Sequence, residues 1–175
     1  MFLCKTSRVL FRDLKPQNIG LDKDNNAKIF DFGLSKELSE DIKVKNDPGY
    51  DKYIATRNTG TPRYMAPEVF AGITYGLPAD IYSYSLSMWE LMSLSLSFDN
   101  LSSLQDLHVQ VHEKKRRPHI NGHWPKELRR IIQDGWHHDA SRRPCAMELC
   151  EELQLCMRRR VLSQPRTASI NRCFS

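Results

Sequence analysis

Apolar positions follow two rhythms along the chain. Near the N-terminus they come in short runs: Val9-Leu10, Ile19-Gly20-Leu21, then Ala27-Lys28-Ile29-Phe30. Runs this short, broken by turn formers, predict strands. Asp22-Lys23-Asp24-Asn25-Asn26 separates the last two and tolerates turn geometry, so those two form a hairpin. Residues 37–57 are polar, charged and aperiodic. They predict a long loop, with a strong turn signal at Asn46-Asp47-Pro48-Gly49. From residue 80 onward the spacing becomes helical, predicting helices over 80–94, 101–115, 127–136 and 145–157. Asp80, just after Pro78, is placed to cap the first of these. Trp89 and Leu91 are expected on its buried face, and Leu128, Ile131 and Ile132 on that of the third. The fold class is therefore mainly α, with a small β hairpin near the N-terminus.

Composition changes this picture little. The 175 residues are 40% hydrophobic and 27% charged, ordinary for one globular domain with a real core. The five arginines at 158, 159, 160, 166 and 172, with no acid beyond Met157, account for the whole net charge of +5. We therefore expect a folded unit over 1–157 and a basic, solvated tail over 158–175. Residues 1–10 carry Lys5 and Arg8 and no apolar core, so no secretory signal is expected. The best candidate span, 81–98, is interrupted by Glu90 and many serines, so no membrane segment is expected either. Five cysteines without a C-x-x-C pair imply reduced thiols in a cytoplasmic or nuclear protein. His108 and His112, one turn apart without a third ligand, read as surface histidines. Asp22, Asp24 and Asn26 imitate a calcium loop, but Ala27 replaces its glycine and Gly33 its bidentate glutamate.

Chemistry concentrates between residues 11 and 33: Phe11-Arg12-Asp13-Leu14-Lys15-Pro16-Gln17-Asn18, the hairpin, then Asp31-Phe32-Gly33. Mg²⁺ prefers hard oxygen donors, and Asn18 and Asp31 offer an amide and a carboxylate. Asp13 suits accepting or orienting the proton of an attacking hydroxyl. Lys15, from the same extended segment, can neutralise charge on a phosphoryl group. Pro16 fixes the backbone between base and metal ligand, and Gly33 permits a sharp turn after Asp31.

The set resembles the catalytic and metal loops of eukaryotic protein kinases. Ala66-Pro67-Glu68 follows in the order that family requires. The resemblance implies a kinase-like C-lobe whose hairpin carries the catalytic and metal loops. It implies phosphoryl transfer from ATP, with Mg²⁺, to Ser/Thr hydroxyls of protein substrates. By it, Asp13 and Lys15 are catalytic, Lys15, Asn18 and Asp31 face the nucleotide, and Asn18 and Asp31 hold the metal. Residues 37–57 correspond to most of an activation segment, in which Tyr50, Tyr53, Thr56 and, just beyond that range, Thr59 are candidate phosphate acceptors. Thr59 is the foremost, with Arg12 as its partner. Gly60 to Glu68 is similar to the segment that seats the substrate peptide, where Thr61 would bond to Asp13 and Lys15. Lys15 is the serine/threonine hallmark, and the Arg63-Tyr64-Met65-Ala66-Pro67-Glu68 wording is shared with tyrosine-kinase-like members. Asp80 corresponds to a carboxylate that accepts backbone N–H bonds from the catalytic loop, and Arg143 to the partner of Glu68.

The sequence also departs from the pattern. The resemblance covers only the larger lobe, to about Met157. No G-x-G-x-x-G occurs, so neither phosphate-covering loop nor adenine roof is at hand, and weak ATP binding is expected. Phe11 replaces the usual histidine and can still stack on Phe32. Gly20 replaces a leucine expected beneath adenine, removing about 1.5–3 kcal/mol of apolar contact. Ser85 replaces a glycine. A lobe lacking its partner should leave Cys4, Val9 and the Phe11 stack under-covered and prone to aggregate. Two other readings compete with an enzyme. One is an inactive, pseudokinase-like module that docks proteins through 101–115. The other is a nucleic-acid binder using 114–117 and 158–160, although basic residues closing a helix need no nucleic acid to explain them.

Overall fold

A computed structural model describes residues 8–44, 50–56 and 58–163, with side chains as far as Arg159. The chain enters through β1 (Val9–Leu10), forms a single turn of 3₁₀ helix at Pro16–Asn18, then runs into the hairpin β2 (Ile19–Leu21) and β3 (Ala27–Ile29). Ile19 faces Ile29 and Leu21 faces Ala27 in antiparallel register. Asp22 makes the turn, accepting from the N–H groups of Asp24 and Asn26, and its other oxygen lies 3.4 Å from Lys28 Nζ. β4 (Lys36–Glu37) returns to pair with β1. Among the described residues five α-helices follow: α1 (Pro67–Phe70), α2 (Pro78–Ser93), α3 (Leu104–Leu107), α4 (Lys126–Gly135) and α5 (Ala146–Ser163).

The core gathers around α2. Tyr82 and Leu86 are wholly buried on it, and Leu128, Ile131 and Ile132 of α4 pack inward as their spacing predicts. Leu91 does not: it is 58% exposed, because Glu90 takes the inward position beside it and the next residue is rotated about 100° away. Ser83, Ser85 and Ser87 are buried and donate to the carbonyls of Ala79, Ile81 and Ser83, so no hydroxyl is stranded. Ser85 faces Gly135 of α4, where a Cβ would stand 2.0 Å from its Oγ. The serine in the glycine position of α2 is thus matched by a glycine on α4.

Two predicted elements differ in detail. The helix expected over 101–115 begins at Leu104, where Ser103 caps it by accepting from the N–H of Asp106, and widens into a π turn over His108–Glu113. The last helix runs on to Ser163, so residues 158–163 of the expected tail are helical, and Arg159 pairs with Glu127 at 3.3 Å. Residues 164–175, Cys4, Arg57 and the Asn46–Gly49 turn lie outside the described residues. Among the described residues no helix is long and apolar enough to cross a membrane.

His112 is not a surface residue. It is buried against Phe70 with ring centroids 4.1 Å apart, and no group of three or more ligating side chains surrounds it among the described residues. Burial pushes its imidazole down to about 4, helped by Arg117, His108 and His138.

Candidate active site

β1 delivers the loop from Phe11 to Asn18, and α2 fixes it from beneath. Asp80 accepts the backbone N–H of Phe11 at 2.7 Å and of Arg12 at 2.9 Å. Its carboxylate therefore serves the loop and does not cap its own helix. Burial pushes Asp80 up to about 6 against the pull of these two bonds. The bonds hold Arg12 at φ 71°, a left-handed conformation rare for a side chain of this size.

Asp13 lies at the centre. Its Oδ2 accepts from Lys15 Nζ at 2.7 Å and Asn18 Nδ2 at 3.2 Å. Its Oδ1 accepts from the N–H of Thr61 at 2.9 Å and its hydroxyl at 2.7 Å. Four bonds fill a carboxylate's acceptor sites. Lys15 Nζ also donates to Thr61 Oγ1 at 2.8 Å, closing a triangle of Asp13, Lys15 and Thr61. Burial pushes Asp13 up, but the bonds from Lys15 and Thr61 outweigh it and its pKa lies below the ordinary value. Asn18 spends its Nδ2 on Asp13, donating also to the backbone carbonyl at 2.9 Å. Its amide oxygen remains as a hard donor.

The hairpin brings the second acid round. The N–H of Phe30 donates to the carbonyl of Asn18 at 3.0 Å, so Asp31 emerges one residue beyond that closure. Asp31 itself takes a left-handed conformation, at φ 65°, and the chain then turns over Gly33 and Leu34, where the N–H of Ser35 donates to the carbonyl of Phe32 at 2.9 Å. Gly33 is needed for close approach: its N–H reaches Asp31 Oδ1 at 3.3 Å, and a Cβ there would sit 3.2 Å from that oxygen. Phe11 stacks edge-on against Phe32 with centroids 5.3 Å apart. Phe11 is buried, so the under-coverage expected at the stack falls on Phe32 alone, 47% exposed. Phe30 fills the space beside Gly20, where a Cβ would meet its ring at 3.1 Å.

The segment from Gly60 to Glu68 is anchored at both ends. Arg143 donates to Glu68 through Nη1 at 2.7 Å and Nη2 at 2.8 Å, a bidentate bridge closed to solvent. At the other end Gly60, at φ 111°, passes so close to the loop that a Cβ would lie 2.2 Å from the carbonyl oxygen of Arg12. Between them, Tyr64 donates to Glu90 at 2.8 Å. Glu90 also accepts the N–H and the hydroxyl of Ser97, and Arg63 donates to the Ser97 carbonyl. In the sequence Gly60 and Tyr64 stand in the matched motif without a role of their own, Glu90 stands only as an interruption of an apolar stretch, and Ser97 has no assignment. The signal available was a carboxylate within an otherwise buried helical stretch.

Of the candidate phosphate acceptors, Tyr53 is excluded by burial at 1% exposure. Thr59 is half-buried and lines a small cavity with Arg12, whose Nη1 is buried without a hydrogen-bond partner.

The helical lobe, with its small hairpin and an Asp13–Lys15–Thr61 triangle bonded to Asn18, has the form of a protein-kinase-like C-lobe. Residues 2–153 match the protein kinase domain family, and the chain belongs to it. It is 36% identical over 143 residues to a probable serine/threonine-protein kinase of Dictyostelium discoideum, covering 82% of this chain and 14% of that protein. It is 35% identical over 147 residues to the dual specificity protein kinase shkB of the same organism, covering 83% and 21%. It is 34% identical over 148 residues to the serine/threonine-protein kinase STY46 of Arabidopsis thaliana, covering 85% and 24%. The chain thus spans between about a seventh and a quarter of the length of these relatives.

Proposed function

We propose that this chain is the transfer lobe of a protein kinase that phosphorylates Ser and Thr hydroxyls of proteins. The observation that carries the reading is the Asp13–Lys15–Thr61 triangle, an anionic acceptor and a cation held together by a threonine. The donor set fits a hard divalent ion, with the Asn18 amide oxygen and the Asp31 carboxylate as ligands. Mg²⁺ and ATP, when bound, supply the charge neutralisation and the transferable group.

In this reading Asp13 stays ionised and orients the substrate hydroxyl, which suits a loose transition state in which proton transfer is late. All four acceptor positions of Asp13 are occupied, so an incoming hydroxyl displaces one bond. Lys15 is the mobile member, because its ammonium gains more from a phosphoryl oxygen than from an already saturated carboxylate. Thr61 then keeps Asp13 in place while Lys15 turns to the phosphate. Arg12, with its free Nη1, would receive a phosphate on Thr59 and tie the loop down.

The 175 residues contain no glycine-rich phosphate loop, so full activity depends on a small lobe supplied in cis or in trans. The test is transfer from Mg·ATP to a Ser/Thr-rich protein by the lobe joined to such a small lobe, beside its Asp13→Asn variant. Transfer that survives Asp13→Asn, or that is absent from both, would sink the reading. A docking role without catalysis is the second reading. It rests on Leu104, 61% exposed beside the π turn, and predicts partner capture unaffected by Asp13→Asn.

A further inference from the structure

Tyr82 is wholly buried in the middle of α2, and two guanidinium groups lie over its ring. The Arg143 group is 5.1 Å from the ring centroid and the Arg117 group 5.0 Å. Arg143 is committed to Glu68. Arg143 also donates to the carbonyls of His137, Pro78 and His138, whereas Arg117 donates to backbone carbonyls alone: Trp136 at 2.9 Å, Val111 at 3.1 Å and Arg116 at 2.8 Å. One side chain therefore links the π turn, the end of α4 and the ring of α2. Only the planar fork of arginine can hold separate carbonyls and stack at the same time.

The two cations face one carboxylate, Glu68, with His112 and His138 also nearby. Both histidines are held below their ordinary value, so neither adds charge to a cluster already rich in it. The cluster grips α1 twice. Glu68 is held by Arg143, and Phe70 stacks on His112, the neighbour of Val111. α1 directly follows Thr61–Met65, the segment that seats the substrate in the reading above.

We propose that Arg117 is a positioning residue for the substrate-seating segment, acting through Tyr82 and the π turn on both anchors of α1. This rests on the kinase reading for its functional consequence but not for its structural one. The test uses the 175-residue chain for amide exchange, and the same chain joined to a kinase small lobe for transfer, as wild type, Arg117→Met, Arg117→Lys, Tyr82→Phe and Tyr82→Leu. Arg117→Met should speed amide exchange over 61–73 by about tenfold while α5 keeps its protection. It should raise the KM for a Ser/Thr peptide by about tenfold with kcat and the KM for ATP unchanged. Arg117→Lys keeps the charge without the fork and should fall between. Tyr82→Phe should match wild type, because the Tyr82 hydroxyl has no partner and the ring alone carries the cations. Tyr82→Leu should reproduce Arg117→Met, and it replaces that variant should Arg117→Met not fold.

Exchange and peptide KM at wild-type values in Arg117→Met overturn the proposal. So does protection lost evenly across the whole chain without rescue by lysine, which marks a merely structural residue. A wild type that transfers no phosphate defeats the kinase reading alone, and the exchange comparison still decides for Arg117.

Discussion

Tyr64 and Glu90 share a 2.8 Å hydrogen bond that joins the Gly60–Glu68 segment to the end of α2. Burial and the adjacent carboxylate both raise the Tyr64 phenol, so it stays a neutral donor at any ordinary pH. Glu90 has its oxygens spent on Tyr64 and Ser97, and both donors are buried with it.

Glu90→Ala therefore strands three donors at once and should cost about 3 kcal/mol. Tyr64→Phe removes one bond and should cost about 1 kcal/mol. Urea unfolding of the two variants measures both, and equal losses would contradict the network.

Asp13, Lys15 and Thr61 should fail unequally in transfer assays. Asp13→Asn loses the orienting anion and should lower kcat roughly 10²–10⁴-fold. Thr61→Val keeps the anion but frees Asp13 and Lys15 from each other's position, so a smaller loss is expected. Thr61→Ser keeps the hydroxyl and should retain most activity. A serine variant as impaired as the valine one would show that the threonine methyl matters and not its bonds.

Acid should weaken the fold through His112. Its folded pKa of about 4 lies below the ordinary 6.5, so the unfolded chain binds more protons between those values. Stability is present above pH 6.5 and falls as pH drops toward 4, by about 3 kcal/mol at most. Asp80, raised to about 6, works the other way, losing stability as pH rises from 3.8 through 6. The difference between wild type and His112→Phe isolates the histidine, since phenylalanine keeps the stack on Phe70. A difference that is flat with pH would remove His112 from the account.

Gly135→Ala should drive a methyl against Ser85 and cost about 1–3 kcal/mol. Ser85→Gly alone should be nearly neutral, and in the double variant it should restore much of the loss. Additive losses across this cycle would mean that the helices part elsewhere.

Much of the site was legible before folding. Asp13, Lys15, Asn18 and Asp31 carry their chemistry in their types, and local geometry brings three of them together. Asn18 reaches Asp13 within one turn, and the hairpin returns Asp31 by its register. The Thr61, Asp80 and Arg143 contacts came from resemblance, since no local rule joins residues 48 to 75 positions apart. The misreadings have a common form. Leu91, His112 and Tyr53 were assigned by residue type or period, and each was reversed by which neighbour took the inward place.

The sequence by itself determined which side chains are available to the proposed phosphoryl transfer, the hairpin that spaces them, and the inward face of α4. These follow from residue chemistry and from periods of two and 3.6, which act over a few positions. Only the tertiary structure decided that Glu90 joins Tyr64 to Ser97, that Arg117 lies over Tyr82, and that Gly135 yields to Ser85. A buried charge or a close contact is settled by whatever comes to lie opposite it, and that partner is chosen when the helices pack.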